Sequence, residues 1–290
     1  MTAPAATTSP ARSWLGPAMV LAGAVAIGFA PIGLRLAQFG PQATGFWRVL
    51  FAMPMIAAVI YAGGGKLGRP SWMSLVAGLF FGFDIAFWHA SLVMTSVANA
   101  TFLVNLGNAS VGLVAWVFLK ERPAKIWMLA VAVALLGAFL LSQGSATASA
   151  GALTGDALAM IAAVMVALYL FFAKLARRTE TAMQVLFWSS AATVVVLAIS
   201  SGVRSEALTP PHPAWFIWPF ALAVVAHVLG QGLIVAGVGR TPAALAGLLL
   251  LIQPVVGALI AWLLFQEGLT QVQLAGAAMV LCGVWLAGRR

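Results

Sequence analysis

Ten long apolar runs occupy almost all of this 290-residue chain, and they constrain its fold more than any other feature. A helix needs roughly 20 apolar residues to cross the hydrocarbon core of a bilayer. Charged residues make up 7% of the chain, against about 25% in a typical soluble domain, so a water-covered globule is excluded. We therefore predict an all-α integral membrane protein with ten transmembrane helices, preceded by a disordered N-terminal tail at residues 1–13. The predicted spans are residues 14–36, 42–62, 72–95, 98–119, 124–142, 152–174, 182–202, 214–238, 242–265 and 270–287.

The basic residues predict how these spans are oriented. If the N-terminus is cytoplasmic, twelve Lys and Arg residues fall in cytoplasmic segments, Arg35 and Arg204 fall outside, and Arg48 lies within the second span. An excess of Lys and Arg in cytoplasmic loops is the usual signal of topology, so both termini are predicted to be cytoplasmic. The net charge of +9 then follows from topology, and no nucleic-acid partner is expected.

The chain also aligns with itself. An offset of 146 residues matches Trp116–Glu121 with Trp262–Glu267, and an offset of 139 matches Gly16 with Gly155. Each half holds five predicted spans, and because five is odd, the second half enters the membrane from the opposite side. Inverted repeats are typical of secondary transporters that alternate access to a site near the bilayer midplane. A duplication within a structural or receptor-like membrane protein is the alternative. The two predicted repeats, which form a single membrane domain, are residues 14–145 and 146–290.

The fourth span of each half ends in an apolar segment with Trp followed five residues later by Glu, at Trp116 and Glu121 and again at Trp262 and Glu267. This pattern in two five-helix halves resembles the EamA-type exporters of the drug/metabolite transporter (DMT) superfamily. The resemblance covers essentially the whole chain and implies a basket-like fold around a central cavity. Two short stretches are similar to the aromatic amino acid exporter (YddG-like) branch, namely Val-Asn at 104–105 and Lys-Leu-Ala-Arg at 174–177.

Asp84 and Arg48 are the charged residues predicted to lie deep in the membrane, where an ionisable group is costly. At 1.5 Å per residue, Arg48 lies about 9 Å and Asp84 about 16 Å from the same surface, so a long Arg side chain could bridge the difference. The aligned residues of the second half, Ser189 and Gly230, are both uncharged. One hypothesis is an Arg48–Asp84 ion pair, and the other is that Asp84 binds a substrate amine or a proton.

Uncharged polar residues supply further candidates for substrate binding. Thr101, Asn105 and Asn108 are spaced by four and three residues, so they lie on one face of the fourth span. Gln253 falls one residue from the position equivalent to Asn108 in the second half. Side-chain amides both donate and accept hydrogen bonds, which suits a zwitterion. Hydrogen bonding between helices is the alternative role.

Histidine and aromatic residues complete the predicted cavity. His89 and His227 are candidates for substrate binding or proton transfer, with hydrogen-bonded packing as the alternative, and Gln231 follows His227 by one turn. Trp88, four residues after Asp84, and Tyr169 could hold an ammonium group or an aromatic ring. The histidine spacing does not predict a metal site, and no cofactor is expected.

Pro31 and Pro254 lie in mid-span and are predicted hinges, because each removes a backbone hydrogen bond. No nucleophile and base lie together within a span and no phosphate-binding loop is present, so neither a membrane enzyme nor an ATP-driven pump is predicted. Ten spans suffice to enclose a cavity in one chain, which is compatible with a monomer.

Together these features predict a secondary transporter or facilitator of a bacterial inner (plasma) membrane that exports amino acids and related small metabolites, with aromatic amino acids as one candidate group. A proton-coupled exporter of cationic drugs, with Asp84 as the essential charge, is the first alternative. A non-transporting membrane receptor or assembly subunit is the alternative from another class.

Overall fold

The structure is a computed structural model that describes residues 10–95, 97–143, 152–266 and 268–288. Within these ranges the chain is helical between short loops. Residues 1–9 of the predicted tail, Glu267, Arg289 and Arg290 lie outside the described residues. The helices are α1 (Pro10–Ile27), α2 (Ala30–Leu36), α3 (Pro41–Ala62), α4 (Trp72–Leu92), α5 (Val97–Leu119), α6 (Lys125–Ser142), α7 (Ala152–Ala176), α8 (Ala182–Val203), α9 (Ile217–Leu222), α10 (Gly232–Val238), α11 (Ala243–Leu250), α12 (Gln253–Phe265) and α13 (Gln271–Gly288).

Nine helical stretches in these ranges are long and apolar enough to cross a membrane, and Gln271–Ala287 is a shorter apolar helix. The tenth span therefore stays a prediction. The start of α1 differs from the expectation, because the helix begins at Pro10 and so includes residues 10–13 of the predicted tail. Proline fits the first turn of a helix, where its missing N–H would have no partner.

Two membrane-length stretches are interrupted at the predicted hinge prolines. The first stretch breaks at Gly28 and Phe29, and α2 then begins with Pro31 in its first turn. The ninth stretch breaks at Leu251 and Ile252, and α12 begins with Pro254 in its first turn. The two breaks lie beside each other, since a Cβ added to Gly28 would come 3.2 Å from the backbone oxygen of Gln253.

The eighth stretch contains a change of helix type that hydropathy does not predict. After a 3-10 turn at Pro213–Phe216 and the short α9, residues Ala223–Gln231 form a π-helix that leads into α10. π-Helical segments are rare and are often found at functional sites. This segment carries both His227 and Gln231.

Different charged residues make contacts at the two ends of the helix bundle, and these contacts are used below to name the ends. α4 lies against α7 and α8, α5 lies against α7, and α6 pairs with α13. We use the term Lys174 end for the end where α7 and α5 finish and α11 begins, since Lys174 contacts both Glu121 and Thr241 there. The opposite end is called the Glu206 end, where Glu206 contacts the start of α3. The topology prediction makes the Lys174 end cytoplasmic.

Close backbone contact between α4 and α8 depends on Gly78. A Cβ at Gly78 would lie 2.1 Å from the Ser189 backbone oxygen. The carbonyl oxygen of Gly78 also accepts a 2.8 Å hydrogen bond from the Thr193 hydroxyl. Small residues at helix contacts favour association in membranes because they let the backbones approach.

We expect Gly78→Ala to lower the thermal unfolding midpoint of the purified protein, because the added methyl group forces α4 away from α8. Overpacking of this kind costs about 1–3 kcal/mol. Gly202→Ala on α8 is the matched control, since a Cβ there meets nothing within 4 Å. Scanning fluorimetry in detergent checks both variants, and equal midpoints would show that the close approach is not needed for stability.

Candidate functional site

Among the described residues, acidic side chains near the bundle ends contact the starts of helices, and Asp84 does not. Glu180 accepts hydrogen bonds from Ser71 at the start of α4, and Glu206 accepts one from the backbone N–H of Ala43 at the start of α3. Glu121 accepts a hydrogen bond from the backbone N–H of Ala243 at the start of α11. Carboxylates at helix N-termini satisfy free N–H groups and complement the helix dipole. These contacts account for the acids near the bundle ends as structural groups.

Asp84 is different, because it lies in the middle of α4 with only 7% of its surface exposed. No hydrogen bond or ion pair of Asp84 is formed with the other described residues. Arg48 on α3 is 5% exposed, and its Nε atom is buried without a hydrogen-bond partner. The two charges interact electrostatically, but no nitrogen–oxygen contact of 4.0 Å or less joins them in the described part of the chain. A direct Arg48–Asp84 ion pair, which is one of the two hypotheses drawn from the sequence, is therefore not formed in this structure.

The π-helical segment positions its polar residues against α7 and α8. The side-chain amide of Gln231 donates a 2.5 Å hydrogen bond to the Tyr169 hydroxyl, and His227 Nε2 lies 2.8 Å from the Ser190 hydroxyl. The Phe81 ring stacks on Tyr169 with 4.6 Å between ring centroids, and it lies 6.0 Å from the His227 ring. The structure thus brings three predicted site residues, Tyr169, His227 and Gln231, into one buried cluster.

This cluster also borders the buried charges. Electrostatic interactions connect Tyr169 with both Asp84 and Arg48, and connect His227 with Arg48. His227 Nδ1 is buried without a hydrogen-bond partner. No group of three His, Cys, Asp or Glu side chains that could hold a metal ion is found among the described residues.

The predicted polar face of α5 forms a chain of hydrogen bonds. The Asn108 amide donates to Asn105 Oδ1 at 3.1 Å, and the Asn105 amide donates to the Thr101 backbone oxygen at 2.8 Å. Asn108 Oδ1 and the Thr101 hydroxyl remain buried without partners. Gln253 lies apart from this chain, since it begins α12 at the helix break and forms no hydrogen bond with either Asn in the described residues.

A small cavity lies on the Glu206 side of Asp84. Its walls include Thr44, Arg48, Trp88 and His89. About 10 Å³ of it is open to the centre of a water molecule, which is room for about one water. The indole N–H of Trp88 and the Nδ1 atom of His89 are buried without hydrogen-bond partners. Unsatisfied polar groups are costly in an apolar interior. A polar molecule in this cavity would supply the missing hydrogen bonds.

A second cavity of similar size lies toward the Lys174 end. Val111, Ala246 and Leu170 line it, and Lys174 stands at its margin. Lys174 Nζ lies 3.0 Å from Glu121 Oε2 and donates a 2.9 Å hydrogen bond to the Thr241 backbone oxygen. Because Glu121 also accepts from the N–H of Ala243, one contact joins α5, α7 and the start of α11. We call the contact of Lys174 with Glu121 and Thr241 the inner latch.

A further basic group lies just beyond this latch. Burial and the nearby positive charge of Arg240 lower the pKa of Arg177 from its usual value. The Arg177 guanidinium donates a hydrogen bond to the backbone oxygen of Glu180. The mutual repulsion of the two guanidinium groups makes this end of the bundle favourable for an anion.

Several residues of the site are missing from the sequence prediction. Phe81 and Ser190 hold Tyr169 and His227 in place, and Gln42 donates a 2.8 Å hydrogen bond to the Ala86 backbone oxygen while its own Oε1 has no partner. Phe81 is indistinguishable from a packing residue by sequence. Gln42 is polar at the first position of a predicted span, which is also typical of the membrane interface.

Comparison with known proteins places this geometry in a family. The sequence model of the EamA-like transporter family matches residues 14–143 and 153–289. An uncharacterized transporter of Archaeoglobus fulgidus is 26% identical over 279 residues, which cover 94% of this chain and 96% of that protein. A probable amino-acid metabolite efflux pump of Salmonella typhimurium is 29% identical over 206 residues, which cover 68% of this chain and 66% of that protein.

The fold is likewise known. A solved crystal structure superposes with a TM-score of 0.77 at 17% identity, and the superposition covers 97% of this chain and 98% of the other. Since the family model matches both halves of the chain over nearly their whole length, this protein belongs to the EamA-like transporter family.

Proposed function

We propose that the protein exports amino acids and related small metabolites across the inner membrane by alternating access, with both termini in the cytoplasm. The observation that carries the proposal is a set of buried polar side chains on the central helices, which we call the polar layer. Asn108 on α5, Tyr169 on α7 and Asp84 on α4 belong to it, and the Asn108 Oδ1 atom has no hydrogen-bond partner. The similarity to a probable amino-acid metabolite efflux pump supports this substrate class.

Alternating access requires that each end of the bundle can close. The inner latch closes the Lys174 end by joining α5, α7 and α11. At the Glu206 end, the Arg35 guanidinium of α2 lies 4.2 Å from the centre of the Phe265 ring of α12. Both cavities are too small for an amino acid, so passage needs movement of the helices. The breaks before α2 and α12 are suited to such movement, because each leaves backbone groups outside the regular helical pattern.

The polar layer supplies the chemistry for a small amphipathic substrate. Asn108 Oδ1 can accept a hydrogen bond from a substrate ammonium group, and Asn105 orients Asn108 by accepting from its amide. The stacked rings of Phe81 and Tyr169 offer an apolar surface within the bundle. Gln253 begins α12 directly after the helix break. We therefore propose that it belongs to the hinge and lies outside the polar layer.

A proton-coupled exporter of cationic drugs is the second candidate. The observation that favours it is the Asp84 carboxylate, which is buried in a span without a hydrogen bond to the described residues. Such a carboxylate can bind a cation or a proton. The two candidates differ in what the loss of this charge does to transport.

For the main proposal, we expect the purified protein in liposomes to take up labelled amino acids, and Asn108→Ala to reduce the rate by about tenfold, because a hydrogen bond to a charged group is lost. Ser110→Ala is the control on the same helix, since the Ser110 hydroxyl bonds to the Gly107 backbone oxygen of its own turn. Uptake is measured with a panel of amino acids, with and without a pH gradient. No flux of any amino acid in either condition would contradict the proposal.

For the inner latch, we expect Glu121→Gln to favour opening at the Lys174 end, because it removes the charge that holds Lys174 and weakens the cap of α11. The measurement is the rate at which a membrane-impermeant maleimide labels Ala246→Cys in a Cys282→Ser background. The rate should rise severalfold. Glu180→Gln is the matched control, since Glu180 caps α4 at the same end. Equal labelling in both variants would refute the latch.

For the second candidate, we expect Asp84→Asn to abolish resistance of cells to cationic drugs, because it removes the buried negative charge that would bind them. The readouts are growth on a drug gradient and uptake in liposomes made from the same variant. Loss of amino acid flux together with unchanged drug resistance would rule out the drug exporter.

A further inference from the structure

Arg48 and Asp84 are two side chains of opposite charge, and no nitrogen–oxygen contact of 4.0 Å or less joins them among the described residues. Both side chains are more than nine-tenths buried, at 5% and 7% exposure. They come from the neighbouring helices α3 and α4, and they interact electrostatically without a direct ion pair. Neither side chain has a hydrogen-bond partner among the described residues. Arg48 lines the small cavity, and Asp84 lies one helical turn before Trp88, which lines the same cavity.

Buried charges are normally paired and hydrogen-bonded. A guanidinium carries five donors in a planar arrangement that matches a carboxylate, and the Arg48 Nε donor is buried without a hydrogen-bond partner. The other acids described near the bundle ends are all hydrogen-bonded. A gap between the two buried charges is therefore a feature that the packing of the bundle does not require.

Resting on the proposed function, we infer that Arg48 and Asp84 form a dipolar site that binds the two poles of a zwitterionic α-amino acid. The substrate carboxylate binds the Arg48 guanidinium, and the substrate ammonium binds the Asp84 carboxylate. The substrate ammonium also lies against the ring of Trp88, because a cation is attracted to the face of an aromatic ring. The substrate thereby completes the charge pairs that the protein leaves open.

This arrangement selects against molecules with one charged pole. A cationic amine pairs with Asp84 and leaves Arg48 without a partner, whereas a carboxylate without an amine pairs with Arg48 and leaves Asp84 alone. An unpaired buried charge is strongly unfavourable, so both analogues should bind weakly. Selectivity that comes from leaving a buried group unpaired is stronger than selectivity from shape.

The test measures binding of three probes of similar size to the purified full-length protein: L-phenylalanine, phenethylamine, which lacks the carboxylate, and 3-phenylpropionate, which lacks the amine. Displacement of labelled L-phenylalanine gives relative affinities. We expect the two analogues to bind at least about tenfold more weakly, since each loses a charge-assisted contact.

Two variants should change the order of the probes. In Arg48→Gln, Asp84 stays charged, so phenethylamine should become the best ligand. In Asp84→Asn, Arg48 stays charged, so 3-phenylpropionate should become the best ligand. The double variant removes both poles and should show no preference for charge. Glu206→Gln is the matched acid-to-amide control at the start of α3, and it should keep the wild-type order.

If Arg48→Gln does not yield folded protein, Arg48→Lys replaces it, because it keeps the charge and loses the planar two-point contact. That variant should weaken L-phenylalanine and 3-phenylpropionate by similar factors and leave phenethylamine unchanged. Equal affinity of the wild type for all three probes, or an order unchanged in the single variants, would overturn the dipolar site while amino acid flux in liposomes still supported export. Absence of both binding and flux would overturn the site and the proposed function together.

Discussion

A hydrocarbon solvent offers no hydrogen bonds, and the rest of this structure depends on that constraint. Every polar group within a span must find its partner inside the protein. Glu121, Glu180 and Glu206 meet this requirement by binding the N–H or hydroxyl groups at the starts of other helices. The same rule gives meaning to the exceptions, since several polar atoms without partners belong to Arg48 and its neighbours Trp88 and His89, and to Thr101 and Asn108 on α5.

The sequence was sufficient for those features that depend on length and local chemistry. The spans follow from apolar run length, and the breaks before α2 and α12 follow from Pro31 and Pro254, since proline removes one hydrogen bond wherever it occurs. The polar face of α5 follows from helical spacing and is confirmed by the hydrogen bonds from Asn108 to Asn105 and onward to the Thr101 backbone.

Features that depend on packing between helices could not be predicted. Depth along a helix places Arg48 and Asp84 within reach of a long side chain, but it does not say which way each side chain turns, so it could not decide whether the two charges form an ion pair. Hydropathy does not register the change to a π-helix at Ala223–Gln231. That change decides where His227 and Gln231 point, and therefore which residues, such as Ser190, become their partners.

Under the proposed function, the predicted duplication relates the two gates to each other and leaves the proposed binding site without a repeat. The offset of 139 residues that aligns Gly16 with Gly155 also aligns Arg35 with Lys174, and these two bases make the closing contacts at opposite ends of the bundle. Gates related by an inverted repeat can exchange roles as access alternates. The buried charges have no such counterparts, because Ser189 and Gly230 stand at the positions equivalent to Arg48 and Asp84. In the proposed cycle, a site whose two poles both belong to the first half would keep its substrate in one orientation while the gates exchange, so access would change without breaking the charge pairs.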